Sequence, residues 1–518
     1  MKNQVFMKRQ FIILILVCCT VYLCGWGKDL ESSREKSASY WEPAAPEEQG
    51  LDSRLLLQML QQIRDKELNL RSIIVVRNHR LVLECYVHPY TRDTLHNTKS
   101  ASKSIISALT GIALREKKIE DLDRTVLSYF PQYITGQLDP RKHPITLRHL
   151  LTMSSGLKIG EQTQDTGTIF ANPDPVKAIF EFPMAENPGE RFNYLTPLAL
   201  VMAVILKESS GKTLQELSDT YLFAPLGIIN APWKENPQGF YFTDVALRPL
   251  DMARFGVLYL DKGEWEGKQV VPAEWIEAST KDRIKTGETS ETLGRDSYGY
   301  FWWRNTSKNM FMALGWGGQQ IYVMPGENMV IVTTASDFGA ALQMVYHFII
   351  PAVKTSKPLP PNPQVVRALR QITGRLQSPS AADARPVPAF PAIVKEINGK
   401  TYRLEPNIAG LVSMAFAFRE KSCHLTLGTE KGTSQLEVGL DNIYRVSDSG
   451  RYGERLEHNK MALRGRWKSS DTFFLDFHSV GRPEQGSMDL CFQGESLTIS
   501  VAVVGTEIKF PIHGKRES

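Results

Sequence analysis

The 518-residue chain has 42% hydrophobic and 23% charged residues, a soluble globular composition on a length beyond one compact core, so two folded domains are expected. The 61 Lys and Arg against 56 Asp and Glu give a formal charge of +5, and +2 without Lys2, Lys8 and Arg9, which disfavours nucleic-acid binding through a basic face. The 37 Gly and 29 Pro follow no repeat period, so collagen, solenoid and low-complexity classes fall away.

Lys8 and Arg9 precede an apolar run over residues 11–23 that is short for a membrane span, the pattern of an export signal. Gly25 and Gly27 suit signal-peptidase cleavage, whereas Cys18, Cys19 and Cys24 point to a lipoprotein leader. The residues before each Cys match a lipid-attachment box poorly, and an uncleaved anchor is the third alternative. Residues 1–27 are therefore read as a leader, the destination as the bacterial cell envelope or periplasm, and any membrane attachment as confined to this segment. Cys85, Cys423 and Cys491 remain, with no C-x-x-C, so no zinc or redox site is expected; Cys423 and Cys491 are read as free thiols in preference to a disulfide.

The apolar runs 73–76 and 81–87 flank Arg77-Asn78-His79-Arg80 and predict a hairpin. Residues 100–114 shift to a buried helical pattern, 197–209 form a second helix ended by Gly211, and Trp275 opens further helical sequence. Strands are predicted over 298–303, 320–324 and 329–334, the last two joined by the turn Pro325-Gly326-Glu327-Asn328. Strands at both ends with helices between suggest one sheet closed by the two ends of a domain over 28–356. Residues 357–390 read as a Pro-rich linker with one short helix. Alternating runs at 401–404, 424–427, 435–439, 473–477 and 497–503 make 391–518 a small antiparallel β-domain.

The chemistry concentrates at Ser100-Ala101-Ser102-Lys103. A serine hydroxyl is a weak nucleophile until a base takes its proton, and a lysine one helical turn later shares its face. S-x-x-K alone is a weak signal; on its own it reads as a solvated helix start. Two later segments add weight. Pro188-Gly189-Glu190-Arg191-Phe192-Asn193-Tyr194 runs into a helix and places a tyrosine at the junction, and Gly315-Trp316-Gly317-Gly318-Gln319-Gln320 leads into a strand. No G-x-S-x-G or H-E-x-x-H occurs, and Ser210-Gly211-Lys212-Thr213 lacks the upstream glycine of a P-loop, so a nucleotide site is rejected. His96 and His149 read as packed or capping residues, and Trp302 and Trp303 as wall or core.

In this order the motifs resemble the serine beta-lactamase and penicillin-binding-protein superfamily, specifically the class C-like branch that contains family VIII carboxylesterases. The segments 146–157, 251–256 and 298–303 extend the resemblance over about residues 45–350. It implies an α/β (α+β) fold, an antiparallel sheet with flanking helices and a helical subdomain; the all-β, barrel-like C-terminal domain resembles the lipocalin-like appendage of some such hydrolases. It also implies Ser100 as acylated nucleophile, Lys103 as its proton acceptor, Tyr194 as proton relay to the leaving group, and the backbone N–H groups of Ser100 and Gln319 as oxyanion donors. Metal and cofactor are not required.

Two departures shape the expected substrate. Thr196 stands where a Y-x-N asparagine would hold a substrate amide, and Trp316-Gly317-Gly318 replaces K-T-G, removing the cation for a substrate carboxylate. Both favour a small neutral ester or amide over a penicillin. The rivals are a beta-lactamase or D-alanyl-D-alanine carboxypeptidase-like activity, a nylon-oligomer-type amidase, and a non-catalytic penicillin-binding-like receptor or scaffold. With every motif before residue 357, the β-domain is expected to fold separately and add nothing to acylation.

Overall fold

A computed structural model describes residues 41–136, 138–160, 164–235, 241–288, 294–407, 409–430, 432–449, 460–503 and 509–517. The leader, with Cys18, Cys19 and Cys24, lies outside the described residues. No described helix is long and apolar enough to cross a membrane. Cys85, Cys423 and Cys491 are unpaired, and burial pushes the Cys85 and Cys423 thiols up to about 12.

Helix α1 (Ser53–Asp65) leads into β1 (Leu70–Arg77) and β2 (Arg80–Tyr86). Asn78 and His79 both adopt positive φ, 49° and 57°, in the two-residue turn between the strands, whose local twist matches that of a hairpin. The sheet resumes near the end of this unit with β3 (Ile284–Lys285), β4 (Ser297–Tyr298), β5 (Trp303–Asn305), β6 (Met310–Gly315), β7 (Gln319–Met324) and β8 (Met329–Ala335). Its order is β2-β1-β8-β7-β6-β5-β4-β3, and β1 runs antiparallel to β8 with Val75 opposite Ile331. The two ends of the unit thus close one sheet, as the strand placement predicts.

Between them lie α2 (Ser102–Arg115), α3 (Thr196–Ser210) and α4 (Pro249–Leu260). Helix α2 is buried from Ser102 through Ala113, and α3 ends at Gly211, whose φ of 69° lets its N–H reach the Lys207 carbonyl. The predicted continuous strand over 298–303 is instead a sharp reversal. Gly299 N–H donates to the Trp302 carbonyl at 2.8 Å, and Phe301 sits at φ 59° with its N–H on the Leu151 carbonyl and its carbonyl accepting from Ser104 Oγ. Bonds to two distant helices override the local strand propensity here.

Residues 357–390 contain helix α5 (Pro363–Gln377), within two residues at each end of the helical pattern over 365–376. Its Leu369, Ile372 and Leu376 join the core formed by the sheet and helices of residues 41–353. That face is buried against α1 and β2, so this half of the segment is packed structure.

A second core lies within the C-terminal strands β9 (Thr401–Leu404), β10 (Leu411–Phe418), β11 (Ser422–Thr429), β12 (Gly432–Gly439), β13 (Arg445–Asp448), β14 (Lys460–Trp467), β15 (Thr472–Ser479), β16 (Gln485–Gln493), β17 (Ser496–Val503) and β18 (Lys509–Arg516). The order β12-β11-β10-β9-β18-β17-β16-β15-β14 closes through β12 on β14, where Val438 pairs parallel with Leu463, giving a nine-stranded barrel with β13 along β14. The closing contact is short, Val438 with Leu463 and Gly439 with Arg464.

The barrel seats on the first unit through polar groups. Glu67 bonds Arg464 at 2.9 Å and pairs with Arg385, while Tyr90 Oη meets His478 Nδ1 at 3.0 Å. His478 Nε2 lies 2.7 Å from Tyr444 Oη, which donates to Asp476 at 2.6 Å.

Candidate active site

Ser100 lies in a short 3-10 turn, Lys99–Ala101, that runs into α2. The tetrad therefore straddles the helix start, and Lys103, one turn on, is 1% exposed. Its Nζ donates to Ser100 Oγ at 2.7 Å and to Thr196 Oγ1 at 3.2 Å, and lies 5.1 Å from the centre of the Tyr194 ring. One buried nitrogen thus gathers Ser100, Tyr194 and Thr196 from two segments about ninety residues apart in sequence.

The Tyr194 ring is held by aromatic neighbours. It stacks on Trp303 at 5.3 Å and meets Tyr298 edge-on at 6.3 Å, with Phe192 6.4 Å away. Trp303 is therefore a wall of the site, whereas Trp302 is fully buried between Phe255 and Tyr259. His149 accepts from the Thr146 N–H at 3.1 Å as a helix cap, and His96 packs 5.4 Å from Tyr90; neither reaches Lys103.

The second side of the site is the tight β6–β7 turn. Gly315 pairs with Gln319, and Gly317 and Gly318 take φ of 77° and 98°. A side chain on Gly318 would stand 2.9 Å from the Cβ atoms of Ala335 and Ala341, and one on Gly315 would stand 2.2 Å from the Thr98 carbonyl oxygen. Glycine is required at both, because the turn is pressed on one flank against β8 and on the other against the segment entering Ser100. The Gln319 side chain points inward and its Nε2 donates to the Ala335 carbonyl at 2.6 Å. Trp316 is 37% exposed at the rim.

Lys99, immediately before Ser100, adopts φ 51°, a conformation that L-residues occupy only when held. Its N–H donates to Asn97 Oδ1 and Asp244 Oδ1, both at 3.1 Å, and Asn97 Nδ2 donates to Asp244 Oδ2 at 2.7 Å. Its Nζ donates to Glu484 Oε1 at 2.7 Å, on the β15–β16 turn of the barrel. Burial pushes the Glu484 carboxyl up, but the Lys99 ammonium and its hydrogen bond outweigh that and bring it down to about 2. Pro483 of the same turn packs against Gly317, where a glycine-borne Cβ would stand 2.7 Å from the proline Cβ. Sequence reasoning missed Pro483 and Glu484; it expected the barrel to add nothing to acylation. Gly481 and Pro483 do read as turn residues, but nothing local announces what the turn touches.

The Asp251 motif is structural: its carboxylate lies 3.0 Å from Arg254 and 3.4 Å from Arg248, and burial, opposed by both arginines, raises its pKa. Among the described residues no group of His, Cys, Asp and Glu could hold a metal ion.

Comparison with known proteins agrees with this architecture. The 6-aminohexanoate-dimer hydrolase of Paenarthrobacter ureafaciens is 25% identical over 288 residues, which cover 51% of this chain and 72% of that protein. A solved Bacillus anthracis structure, provisionally described as a 6-aminohexanoate-dimer hydrolase, aligns with a TM-score of 0.50 at 21% identity over 62% of this chain and 89% of its own. A family VIII carboxylesterase aligns at 13% identity with a TM-score of 0.46, covering 64% and 98%. Residues 70–350, more than half of the sequence, match the Beta-lactamase family, and the chain belongs to it.

Proposed function

We propose that the chain is an exported serine hydrolase that cleaves a neutral ester or amide of a small acyl compound through a Ser100 acyl-enzyme. The observation that carries this reading is the 2.7 Å contact between Lys103 Nζ and Ser100 Oγ at a buried helix start facing the glycine turn. Ser100 Oγ attacks the carbonyl carbon as Lys103 Nζ takes the hydroxyl proton. The N–H groups of Ser100 and Gln319 stabilise the oxyanion. Collapse breaks the bond to the alcohol or amine, which leaves with a proton relayed through Lys103 and Tyr194. Water then attacks the acyl-enzyme along the same proton path in reverse.

Neutral substrates are favoured because Trp316 carries no charge and Thr196 Oγ1 is engaged with Lys103. Amide cleavage is the second reading, supported by the aminohexanoate-dimer hydrolase relative. In this reading residues 28–356 form the hydrolase domain, 357–390 the connection and 391–518 the β-domain, with residues 1–27 directing export. Fractionation of cells and N-terminal sequencing of the mature protein test the last point.

Incubation with a fluorophosphonate followed by peptide mass spectrometry tests the central one. The adduct is expected on Ser100; an adduct on Ser102 or Ser104, or none, rejects the assignment.

A further inference from the structure

The barrel turn touches the hydrolase unit at each of residues 481–484. The Asn97 N–H donates to the Gly481 carbonyl at 2.8 Å, and the Arg482 carbonyl accepts from buried Arg71, whose other terminal nitrogen donates to Ser336 Oγ at 2.6 Å. Pro483 lies on Gly317, Glu484 binds Lys99, and Gln485 Nε2 returns to Asp476 in the barrel at 3.1 Å. Gly481 has φ 87°, and a side chain there would stand 2.4 Å from the Leu95 carbonyl oxygen, so the turn approaches as closely as backbone allows. Two of these contacts fall close to the two proposed oxyanion donors: Lys99 immediately precedes Ser100, and Gly317 lies two residues before Gln319.

We propose that this turn completes the acylation site from the barrel, with Glu484 a positioning residue that holds Lys99 in its left-handed conformation so that the N–H of Ser100 converges with that of Gln319. The inference rests on Ser100 being the nucleophile. The Lys99 N–H is held by Asp244 and Asn97, and its ammonium lies 4.0 Å from Asp244 Oδ2 and 2.7 Å from Glu484 Oε1, the shorter contact coming from another domain. Glu484 Oε2 is buried without a hydrogen-bond partner, and its side chain is one-third exposed overall. A carboxylate held with one oxygen unpaired carries a desolvation cost, so a merely decorative ion pair at this point would be disfavoured. Transition-state stabilisation depends on donor alignment more than on donor presence, and deleting one oxyanion donor costs about 10²–10³-fold.

The full-length chain tests this with Glu484→Gln, Glu484→Ala and the exchanged pair Lys99→Glu with Glu484→Lys. Arg385→Ala serves as the control, because it weakens the domain interface at Glu67, away from the turn. Readouts are the rate of fluorophosphonate labelling, kcat and KM on a small p-nitrophenyl ester, and the thermal midpoint. Glu484→Ala is expected to slow labelling and lower kcat by roughly tenfold or more. KM and the midpoint should stay near wild type, Glu484→Gln should keep more activity, and the exchanged pair should recover part of the loss. Arg385→Ala should label at the wild-type rate.

Wild-type labelling in Glu484→Ala and Glu484→Gln overturns the inference while leaving Ser100 as nucleophile. A rise in KM at unchanged kcat overturns it too, by making Glu484 a substrate contact. An unfolded Glu484→Ala leaves the decision to the isosteric Glu484→Gln, whose wild-type kcat would count against positioning and whose lowered kcat would support it. Absence of labelling in the wild-type chain removes the acyl-enzyme reading and this inference together.

Discussion

At the scale of single residues the site is organised around one nitrogen, Lys103 Nζ, which touches Ser100 and Thr196 and lies against the Tyr194 ring. Lys103→Ala removes proton transfer without removing a substrate contact, so kcat on a p-nitrophenyl ester should fall about 10²–10⁴-fold with KM little changed. Tyr194→Phe keeps the stacking on Trp303 and should likewise act on kcat. Steady-state kinetics on both variants checks this, and normal turnover in either removes that residue from the mechanism. The substrate ranking is also a residue-scale matter: with Trp316 at the rim in place of a lysine, short p-nitrophenyl esters should turn over well above cephalosporins. Efficient penicillin hydrolysis with poor esterase activity would reverse that ranking and restore the beta-lactamase alternative.

At the scale of elements, α2 carries Lys103 and follows directly on the turn that holds Ser100, and its placement depends on a small residue on its buried face. A methyl group on Gly111 would stand 2.2 Å from Cγ of Trp275, on the helix Ala273–Thr280. Alanine gains about 1 kcal/mol of helix propensity over glycine, while forcing a methyl into a packed core costs about 1–3 kcal/mol. The obstacle is a rigid indole ring, so the overpacking outweighs the propensity. Gly111→Ala should therefore lower unfolding stability in denaturant titration and lower activity with it, since a shift of α2 moves Lys103 on its first turn. The barrel elements were partly legible. Alternation marked Thr401–Leu404 and Ser496–Val503, whereas Leu411–Phe418 and Lys460–Trp467 escaped notice because Ala415, Ala417 and Gly465 blur the contrast between their faces.

At the scale of the whole molecule, two buried histidines make the domain junction sensitive to acid. His478 is 5% exposed and His96 is 1% exposed. Burial, with Arg71 for both and Arg464 for His478, pushes each imidazole well below its ordinary value. Asp476, 4.0 Å from His478, does not reverse this, and Tyr90 and Tyr444 occupy the two nitrogens of His478. The unfolded chain takes up protons on these rings as pH falls through about 6.5 while the folded chain resists, so acid favours unfolding. Stability should be full above pH 6.5 and fall below it, at up to about 1.4 kcal/mol per pH unit for each ring. Thermal unfolding between pH 7 and 5 measures the slope, which should be shallower in His478→Gln.

The sequence alone pointed to Ser100, Lys103, Tyr194 and the glycine turn, which the fold brings together, because each sits in a short local pattern tied to a helix start or a hairpin. It also carried the division into a mixed unit and an all-β unit, through the change of hydrophobic period. Tertiary structure alone decided that the reversal at Tyr298–Trp303 is pinned by Ser104 and Leu151, and that α5 packs into the first core. It alone brought Pro483 and Glu484 of the barrel against Gly317 and Lys99. Those contacts join residues 166 and 385 positions apart, and no local pattern encodes a pairing whose free energy comes from docking two separately formed surfaces.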